Sequence, residues 1–333
     1  MRILVVRIAA FGDVIITTPL IRQLKEKGHE VYYLGSEQAQ QILEHNPNVD
    51  KFIYHERDSV ESEKLGEYFD GISKEHGCDR VINLCESIEV RLAVSRDYPH
   101  WNWSKRERAE HCDINYYEYC FTHAQENTPA YGDLKPEMFF SEEEHEWALG
   151  ERKKLFGFKT IMWGLSGSGR QKVWPYVPYV VSDLIKAHKD LKVILVGGVT
   201  CQVLEAGFPK HERIIRRSGE YTFRQSALLS KYVDLVVSPD TGFLHASGCW
   251  ETPKIGLLTH TTIENITKHF ENDYSLESEA VCAPCFRLVQ NCDEECPLEV
   301  STSATLCMGK EGMKPERVMN QIEGILCHSL QTV

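Results

Sequence analysis

Three polar turns in this sequence each follow an apolar run and carry the side chains best suited to chemistry. The first places a single glycine, Gly12, directly before Asp13. The second reads Ser166-Gly-Ser-Gly169 and is followed by Lys172, and the third reads Asp240-Thr-Gly242. A carboxylate can take a proton, whereas glycine N–H groups, hydroxyls and an ammonium group can hold an anion. The sequence therefore predicts a proton acceptor and an anion site on separate turns.

The first turn lies between the strand-like run Ile3–Ile8 and a segment of helical spacing that ends at Gly28. In a nucleotide-binding fold this turn usually carries several glycines, because phosphate must approach the backbone closely. Here it carries one glycine and a carboxylate. Asp13 could cap the following helix, or it could project across the crevice as a general base that deprotonates a hydroxyl nucleophile.

The second turn follows the strand-like run Lys159–Leu165. Its backbone N–H groups, its serine hydroxyls and Lys172 could together hold a diphosphate, although the spacing is not that of a P-loop. A flexible turn before a helix that opens at Pro175 is the alternative interpretation.

The third turn follows the apolar run of a strand and opens a helix. Thr241 and Gly242 could give backbone N–H groups to an anion at that helix start. His245 lies four residues after Thr241 and therefore on the same helix face.

The elements that must position these turns alternate between strand and helix. In the first half the expected strands are ILVVRI, EVYYLG, KFIY and RVINLC, and in the second half the run at Lys159–Leu165, VILVGG, RIIR, DLVVSP and KIGLLT. This alternation implies parallel strands with helical crossovers. The acidic helix expected from Ser141 to Phe156 joins two successive units. The fold class is therefore α/β, with two doubly wound domains facing a cleft, where ligands bind outside the carboxyl ends of strands.

Composition bounds the partners of this chain. Its 333 residues suggest two domains, and 42% hydrophobic and 26% charged residues are ordinary for a globular protein. No apolar run is long enough to span a bilayer, and the N-terminus does not have the pattern of a signal peptide, so we expect a cytoplasmic protein with at most peripheral membrane contact. A net charge of −12 argues against nucleic acid as a partner. The basic and aromatic stretch from Arg91 to Arg108 could be a solvated surface or an acceptor-binding surface.

Twelve cysteines are many for a cytoplasmic chain, and five of them fall in one segment. Cys282-Ala-Pro-Cys285 is a CxxC pair that Cys296 and Cys307 could complete as four thiolates, with Cys292 as a further candidate. Sulfur ligation of this kind suits a structural zinc or iron. Reduced free thiols are the alternative. Four thiolates would leave no open position, so a catalytic metal is not expected.

The last helix opens at Lys314-Pro315, with proline at a favoured first position. Val318, Ile322, Ile325 and Leu326 share one face of it, which must pack against a core.

Together the three turns resemble glycosyltransferase family 9, the ADP-heptose:lipopolysaccharide heptosyltransferases and their relatives. The resemblance extends over nearly the whole chain. It is strongest in RIAAFGDVIITTPLIRQL, in the serine-glycine turn that ends in KVWP, in SPDTGFLHASG followed by TPKIGLL, and in the cysteine pattern of the tail. It implies a GT-B architecture with an acceptor domain at residues 1–155 and a nucleotide-sugar domain at residues 156–313, which includes the cysteine-rich segment 282–307. The C-terminal helix, residues 314–333, would pack back toward the N-terminal domain.

The resemblance also implies an activity, namely inverting and metal-independent transfer of a sugar. The expected donor is ADP-heptose, and the acceptor is a hydroxyl on lipopolysaccharide core, another glycan or a protein. The sequence has no Asp-x-Asp motif, which agrees with metal-independent chemistry. Asp13 would be the base and Lys172 would compensate charge on the leaving nucleotide. The implied donor-binding residues are Ser166, Gly167, Ser168, Lys172, Asp240, Thr241, Gly242 and His245, and the implied acceptor-binding residues are Gly12, Arg91 and Arg96.

Two segments depart from the family pattern. The turn Gly197-Gly-Val-Thr-Cys201 lacks the acid that often contacts the ribose, and Glu205 is only a distant substitute. The segment Leu258-Thr-His-Thr-Thr262 replaces an FGPT-like sequence. Both departures bear on donor identity. The competing functions are a GT-B-fold nucleotide-sugar epimerase, which would act on the donor alone, and a nucleotide-sugar-binding protein without activity.

Overall fold

The computed structural model describes residues 1–56, 59–85, 87–130, 132–288 and 296–328, without the side chains of Val90 and Arg91. Two parallel sheets, each covered by helices, form two α/β domains that face each other across a cleft. The predicted fold class is confirmed.

The N-terminal domain is built on a four-stranded parallel sheet in the order β3-β2-β1-β4. Its strands are β1 (Arg2–Val6), β2 (Glu30–Gly35), β3 (Lys51–Tyr54) and β4 (Arg80–Asn83), followed by the short strand β5 (Val94–Ser95) outside this sheet. Its helices are α1 (Phe11–Ile16), α2 (Thr18–Glu26), α3 (Glu37–Leu43), α4 (Leu65–Glu75), α5 (Ser87–Arg91), α6 (Lys105–Cys112) and α7 (Tyr116–His123).

The turn after β1 lies at the switch point of this sheet. The chain adds β2 and β3 on one side of β1 and then returns to place β4 on the other side. A crevice opens where strand order reverses, outside the carboxyl ends of the strands. Gly12 and Asp13 lie in α1, which begins in this crevice. The sequence predicted one helical segment up to Gly28, but the helix is interrupted at Thr17, because Pro19 in the first turn of α2 has no N–H to continue it.

The C-terminal domain follows the connecting helix α8 (Glu142–Lys153), which Ser141 caps and which ends three residues before the predicted Phe156. Its six-stranded parallel sheet has the order β11-β10-β9-β6-β7-β8. The strands are β6 (Lys159–Gly164), β7 (Leu191–Val196), β8 (Ile214–Arg216), β9 (Leu235–Pro239), β10 (Lys254–Leu258) and β11 (Leu276–Glu277). The helices are α9 (Val177–Ala187), α10 (Cys201–Glu205), α11 (Phe223–Leu229), α12 (Gly242–Ser247), α13 (Ile263–Ile266) and α14 (Pro315–His328).

The second switch point lies between β6 and β9. The chain proceeds from β6 to β7 and β8 and then returns to pair β9 with the other edge of β6. The serine-glycine turn follows β6 and the Asp240 turn follows β9. Two turns that are distant in sequence therefore lie side by side at the mouth of the sheet.

The domains meet at two glycines. A Cβ added to Gly242 would lie 2.8 Å from Phe11 Cβ and 3.1 Å from the Gly12 nitrogen, and one added to Gly12 would lie 2.9 Å from a ring carbon of His245. Beside this contact the rings of Phe11 and Phe223 stack with centroids 4.0 Å apart. The short strand β12 (Arg287–Leu288) also pairs with β5 of the N-terminal domain.

This close approach predicts that Gly242→Ala destabilises the protein. The added methyl would overlap Phe11 and Gly12, and overpacking of this kind costs about 1–3 kcal/mol of unfolding free energy. Urea unfolding of both proteins measures the change. Gly71→Ala in α4 is the matched control, because its Cβ meets nothing within 4 Å and alanine favours a helix by about 0.5–1 kcal/mol. Equal stabilities for Gly242→Ala and wild type would contradict the prediction.

Two expectations need correction, one about where a helix begins and one about where a helix packs. The helix after the second turn begins at Val177 with Pro178 in its first turn, so Pro175 lies in the turn before it. The apolar face of α14 packs in the C-terminal core beside α9, and Lys159 Nζ donates to the Leu326 carbonyl. These contacts of the described residues do not agree with a helix that packs back toward the N-terminal domain, because its apolar residues already fill the core under β6 and β7.

Candidate functional site

A cleft of about 510 Å³ lies between the two switch points. The N-terminal domain and the C-terminal domain each supply one wall. The residues that line it include Ala9, Ala10, Phe11, Gly12, Asp13, Gln38, Glu89, Gly167, Ser168, Gln171, Lys172, Asp240, Thr241, Gly242 and His245. The tertiary structure therefore brings the three turns singled out in the sequence around one space.

The front wall of the cleft carries two carboxylates on one buried guanidinium. Arg7, just after β1, is 3% exposed, and its Nη2 lies 2.8 Å from Asp13 Oδ2 and 2.8 Å from Glu89 Oε1. Its Nη1 donates to the Leu84 carbonyl at 2.9 Å. Burial opposes the charge of Arg7, but the two carboxylates raise the pKa of its guanidinium well above the ordinary value.

Asp13 serves the helix and faces the cleft at the same time. It is the third residue of α1 and its Oδ2 accepts from the Ala10 N–H at 3.0 Å. Of the two alternatives for this residue, the capping hydrogen bond is therefore present, although Ala10 is the N-cap. The side chain also lines the cleft, so capping leaves the role of base open.

The rear wall carries a buried charge network centred on Asp240. Lys172 Nζ lies 3.5 Å from Asp240 Oδ2, with the two side chains 14% and 9% exposed. His245 Nε2 lies 3.6 Å from Asp240 Oδ1, and His260 Nε2 lies 3.6 Å from Asp240 Oδ2. Burial raises the pKa of the Asp240 carboxyl, but Lys172 and the two histidines outweigh it and hold that pKa well below its usual range. Asp240 is thus an anion that orients Lys172 toward the cleft.

The network extends across the domain boundary through His245. Its Nδ1 shares a hydrogen bond of 2.9 Å with Tyr117 Oη, which α7 of the N-terminal domain supplies. Burial raises the pKa of the Tyr117 hydroxyl well above its ordinary value, so it stays protonated. The orientation of His245 therefore depends on both domains being in contact.

His260 links the stability of this network to pH. Burial, with the charge of Lys172 added to it, lowers the pKa of His260 from 6.5 to about 4, and Asp240 only partly opposes this. Between these two values the unfolded chain binds a proton that the folded chain does not, so stability falls as pH falls through this range. At about 1.4 kcal/mol per pKa unit the full loss is on the order of 3 kcal/mol.

We therefore expect His260→Gln to flatten the pH dependence of unfolding. Urea denaturation at about pH 7.5 and about pH 5 measures the free energy of unfolding on both sides of the ordinary histidine pKa. Exposed His123→Gln serves as the control and keeps the wild-type slope. If His260→Gln and wild type lose equal stability between the two pH values, the assignment to His260 is wrong.

The second turn needs its glycine for close packing. A Cβ on Gly167 would lie 2.7 Å from Lys172 Cδ and 2.8 Å from Thr241 Cγ2. The absence of a side chain lets the backbone of this turn, the stem of Lys172 and the start of α12 line the same wall. Thr241 caps α12, because its Oγ1 accepts from the Leu244 N–H at 3.4 Å.

A second cavity of about 490 Å³ adjoins the cleft and shares Phe11, Thr241 and Gly242 with it. Ser166 lines this second cavity, as do Gly197, Gly198, Tyr221, Phe223 and Phe243. Aromatic rings and glycine backbone suit a flat, apolar group. Glu205 is not among the lining residues, because it is buried and its Oε1 accepts from the Ser218 N–H at 2.9 Å.

Of the two predicted acceptor-binding arginines, Arg96 is not among the described residues that line the cleft. Arg91 ends α5 and its side chain lies outside the described residues, whereas Arg96 is exposed after β5. Much of the basic and aromatic stretch packs on the tail: Lys105 Nζ donates to the Val281 carbonyl at 3.0 Å, and Arg108 Nε donates to the Cys285 carbonyl at 2.7 Å. Within the described ranges no helix is long and apolar enough to cross a membrane.

The four predicted metal ligands Cys282, Cys285, Cys296 and Cys307 line a third cavity, of about 310 Å³, and Cys292 lies outside the described residues. In the part of the chain that the structure describes, no three cysteine, histidine or acidic side chains are arranged to hold an ion. Burial raises the pKa of the Cys285 thiol, and that of Cys307 to about 11, so both carry a proton unless a ligand displaces it. The metal site stays a prediction.

Sequence reasoning missed the residues that support the site from outside the three turns. Arg7, Glu89, Tyr117 and His260 are the main ones. Arg7 had a signal, since it interrupts an apolar run at the carboxyl end of a parallel strand, where ligands bind. Glu89 and His260 reach the site through contacts within their own domains, with Arg7 and with Asp240, and only Tyr117 depends on how the two domains pack.

Comparisons with known proteins identify the family and the architecture of the chain. The sequence profile of glycosyltransferase family 9 (heptosyltransferase) matches residues 98–296. No curated protein matches the chain.

Solved structures of the same architecture resemble the whole chain. A family 9 glycosyltransferase from Veillonella parvula is 16% identical with a TM-score of 0.71, covering 98% of this chain and 97% of its own. The E. coli ADP-heptose lps heptosyltransferase II is 15% identical with a TM-score of 0.66, covering 99% of each chain. The iron-containing heptosyltransferase TibC of enterotoxigenic E. coli, solved with ADP-D-β-D-heptose, is 9% identical with a TM-score of 0.57 and covers 99% of this chain and 76% of its own. With more than half of its length matched by the family profile, the chain belongs to glycosyltransferase family 9 and is a glycosyltransferase of the heptosyltransferase type.

Proposed function

We propose that the protein transfers a sugar from a nucleotide diphosphate to an acceptor hydroxyl, with inversion at the anomeric carbon. The observation that carries this proposal is the placement of Asp13 and Lys172 on opposite walls of one cleft. In a direct displacement the nucleophile and the leaving group occupy opposite sides of the reacting carbon. A base on one wall and a cation on the other match this requirement.

In the proposed reaction the acceptor oxygen bonds to the anomeric carbon as the bond from that carbon to the diphosphate oxygen breaks. Asp13 takes the proton of the acceptor hydroxyl. Lys172 offsets the negative charge that develops on the departing diphosphate. Gly167, Ser168 and Thr241 line the same cleft, and in this proposal their N–H groups add to that stabilisation. Lys172 thus supplies the positive charge that a metal ion supplies in other transferases, so the proposed chemistry is metal-independent.

The donor we propose is ADP-heptose. The diphosphate would lie in the cleft and the adenine in the adjoining cavity beside Phe11 and Phe223, since the two spaces share Thr241 and Gly242. TibC, which has the same architecture, was solved with ADP-D-β-D-heptose. The acceptor we propose is a hydroxyl of lipopolysaccharide core or of another glycan or protein. The predicted cytoplasmic location remains a prediction.

A panel of nucleotide sugars tests the donor and the reaction type together. The purified protein is incubated with ADP-heptose, ADP-glucose and UDP-glucose, with and without lipopolysaccharide core, and products are followed by mass spectrometry. We expect a sugar adduct from ADP-heptose only when acceptor is present. An isomerised sugar formed from donor alone would favour the epimerase, and nucleotide binding without any product would favour a protein without activity.

We further propose that the cysteine-lined cavity holds a structural iron or zinc ion. Lys105, Arg108 and Arg287 line the same cavity, and no described carboxylate does. Desolvation, with the like charge of Arg287, lowers the pKa of Arg108. An anionic thiolate-metal group would offset the cost of burying these positive charges. TibC is an iron-containing heptosyltransferase.

Metal analysis of the purified protein checks this proposal. We expect a stoichiometric iron or zinc content that is lost, together with thermal stability, in the double variant Cys282→Ser and Cys285→Ser, because a structural metal contributes folding free energy. Cys78→Ser, away from the cavity, is the matched control and keeps its metal. A metal-free protein with freely titrating thiols would show that the cluster is a set of reduced cysteines.

A further inference from the structure

We propose that Glu89 is a second acceptor-binding carboxylate beside Asp13, and that Arg7 is the positioning residue that holds both. The substrate class this assigns is an acceptor with a second hydroxyl next to the attacking one, as in a sugar ring. The inference rests on the proposed function. It goes beyond that function by naming the part of the acceptor that the front wall recognises, which is the hydroxyl next to the attacking one.

Arg7 is placed to fix two carboxylates at once. Its Nη2 contacts Asp13 Oδ2 and Glu89 Oε1, each at 2.8 Å, and its Nη1 contacts Glu89 Oε2 at 3.2 Å. A planar guanidinium offers this fork, whereas an ammonium group is a single point of charge. Burial just after β1 and the hydrogen bond to the Leu84 carbonyl fix the guanidinium itself.

The contacts of Asp13 leave one of its oxygens for the substrate. Oδ2 forms the ion pair with Arg7 and accepts a hydrogen bond from the Ala10 N–H. Among the described residues no hydrogen bond is made to Oδ1. Because Asp13 lines the cleft, Oδ1, which no described residue contacts by a hydrogen bond, is the oxygen available to take the acceptor proton.

Glu89 faces the same space as Asp13 to the same degree. The two side chains are 30% and 28% exposed, and both line the cleft. Because both oxygens contact the same nitrogen at 2.8 Å, they lie no more than 5.6 Å apart. Each carboxylate oxygen has two lone pairs, so Glu89 can accept a hydrogen bond from a hydroxyl while it keeps its contacts with Arg7.

The ion pair at the other end of β1 shows how this arrangement differs from an ordinary surface ion pair. Arg2 pairs with Glu30 at 2.9 Å, but those side chains are 34% and 44% exposed and face no cavity described above. Arg7 is buried and its two carboxylates open on the cleft that also holds Lys172. Arg2 and Glu30 therefore supply matched control variants of an arginine–glutamate pair outside the cleft.

The test combines a protein variant with a substrate variant. Transfer from ADP-heptose is measured to a methyl glycoside acceptor and to deoxy analogues that each lack one ring hydroxyl, with wild type and with Glu89→Gln. We expect loss of the neighbouring hydroxyl to raise the acceptor KM of wild type by about tenfold or more, as for a hydrogen bond to a charged group. With the full acceptor, Glu89→Gln should raise the acceptor KM by a similar factor. With the deoxy analogue, the same variant should change KM little further. Additive effects of the two changes would overturn the assignment.

The role of Arg7 is tested through kcat. Arg7→Met should lower kcat for transfer without changing the affinity for ADP measured by calorimetry, and added guanidinium ion should restore part of it. Arg7→Lys should fall between Arg7→Met and wild type, because one ammonium group cannot bridge both carboxylates as the fork does. Arg2→Met and Glu30→Gln keep wild-type kinetics. Equal kcat in Arg7→Met and wild type overturns the inference.

The outcomes distinguish this inference from the function it rests on. If Asp13→Asn transfers sugar normally, the proposed function fails and the role of Glu89 fails with it. If Asp13→Asn is inactive while Glu89→Gln and the removal of the acceptor hydroxyl raise the acceptor KM independently of each other, only the paired-carboxylate site is wrong.

Discussion

Asp13→Asn should lower the rate of sugar transfer by about 10²–10⁴-fold, the usual contribution of a positioned general base. The amide keeps the size of the side chain and an oxygen that can accept from the Ala10 N–H, so α1 should keep its start. It loses the basicity needed to take a proton. Initial rates with ADP-heptose and acceptor measure the loss. ADP binding by calorimetry should be unchanged, because the predicted phosphate contacts lie on the rear wall.

Glu107→Gln in α6 is the matched control for this variant. Glu107 is also the third residue of its helix, and its carboxylate accepts from the Ser104 N–H at 2.7 Å, as Asp13 accepts from Ala10. It does not line the cleft. If Asp13 served only the helix, both variants would have the same small effect on transfer. Near wild-type transfer by Asp13→Asn would remove the basis for the proposed mechanism.

Lys172→Met should reduce kcat/KM for transfer by about 10²–10³-fold, comparable to the loss of one group that stabilises developing negative charge. It should also weaken ADP binding. The variant leaves Asp240 buried without its cation, and breaking a buried pair in this way costs about 3–5 kcal/mol of unfolding free energy. Steady-state kinetics, ADP calorimetry and urea unfolding measure the three effects.

The double variant Lys172→Met with Asp240→Asn separates stability from catalysis. Removing both charges eliminates the uncompensated carboxylate, so we expect most of the lost stability to return. Transfer should stay low, because no cation is restored near the diphosphate. Lys172→Arg keeps the charge and should retain more activity than Lys172→Met. If transfer recovers along with stability in the double variant, Lys172 is a structural residue only.

The strand and helix pattern was readable from sequence because local patterns specify it. Apolar runs such as EVYYLG and VILVGG are typical of strands in a buried parallel sheet. EVYYLG forms β2, and the VILV part of VILVGG ends β7. The Asp13, Lys172 and Asp240 turns could be found for the same reason, since each follows such a run directly. The break between α1 and α2 and the start of α9 were less predictable, because each depends on where one proline falls within a helical turn.

The side-chain contacts that hold the site residues in place could not be predicted from the sequence in this way. Arg7 and Glu89 are far apart in sequence, and only the return of the chain from β3 to β4 on the other side of β1 brings them together. The bond from Tyr117 to His245 crosses the two domains. The position of α14 was expected from the family resemblance, yet its apolar face packs in the C-terminal core, and no local pattern specifies which core an apolar face fills.

The sequence by itself determined two α/β units, three reactive turns and membership in a glycosyltransferase family, because hydrophobic period, turn chemistry and motif order are local properties of the chain. Only the tertiary structure decided that Asp13 shares Arg7 with Glu89 and that Lys172 is held by a buried Asp240. The charge state and orientation of these groups depend on burial and on partners from distant strands. Those conditions exist only after both sheets have formed and Gly12 meets Gly242.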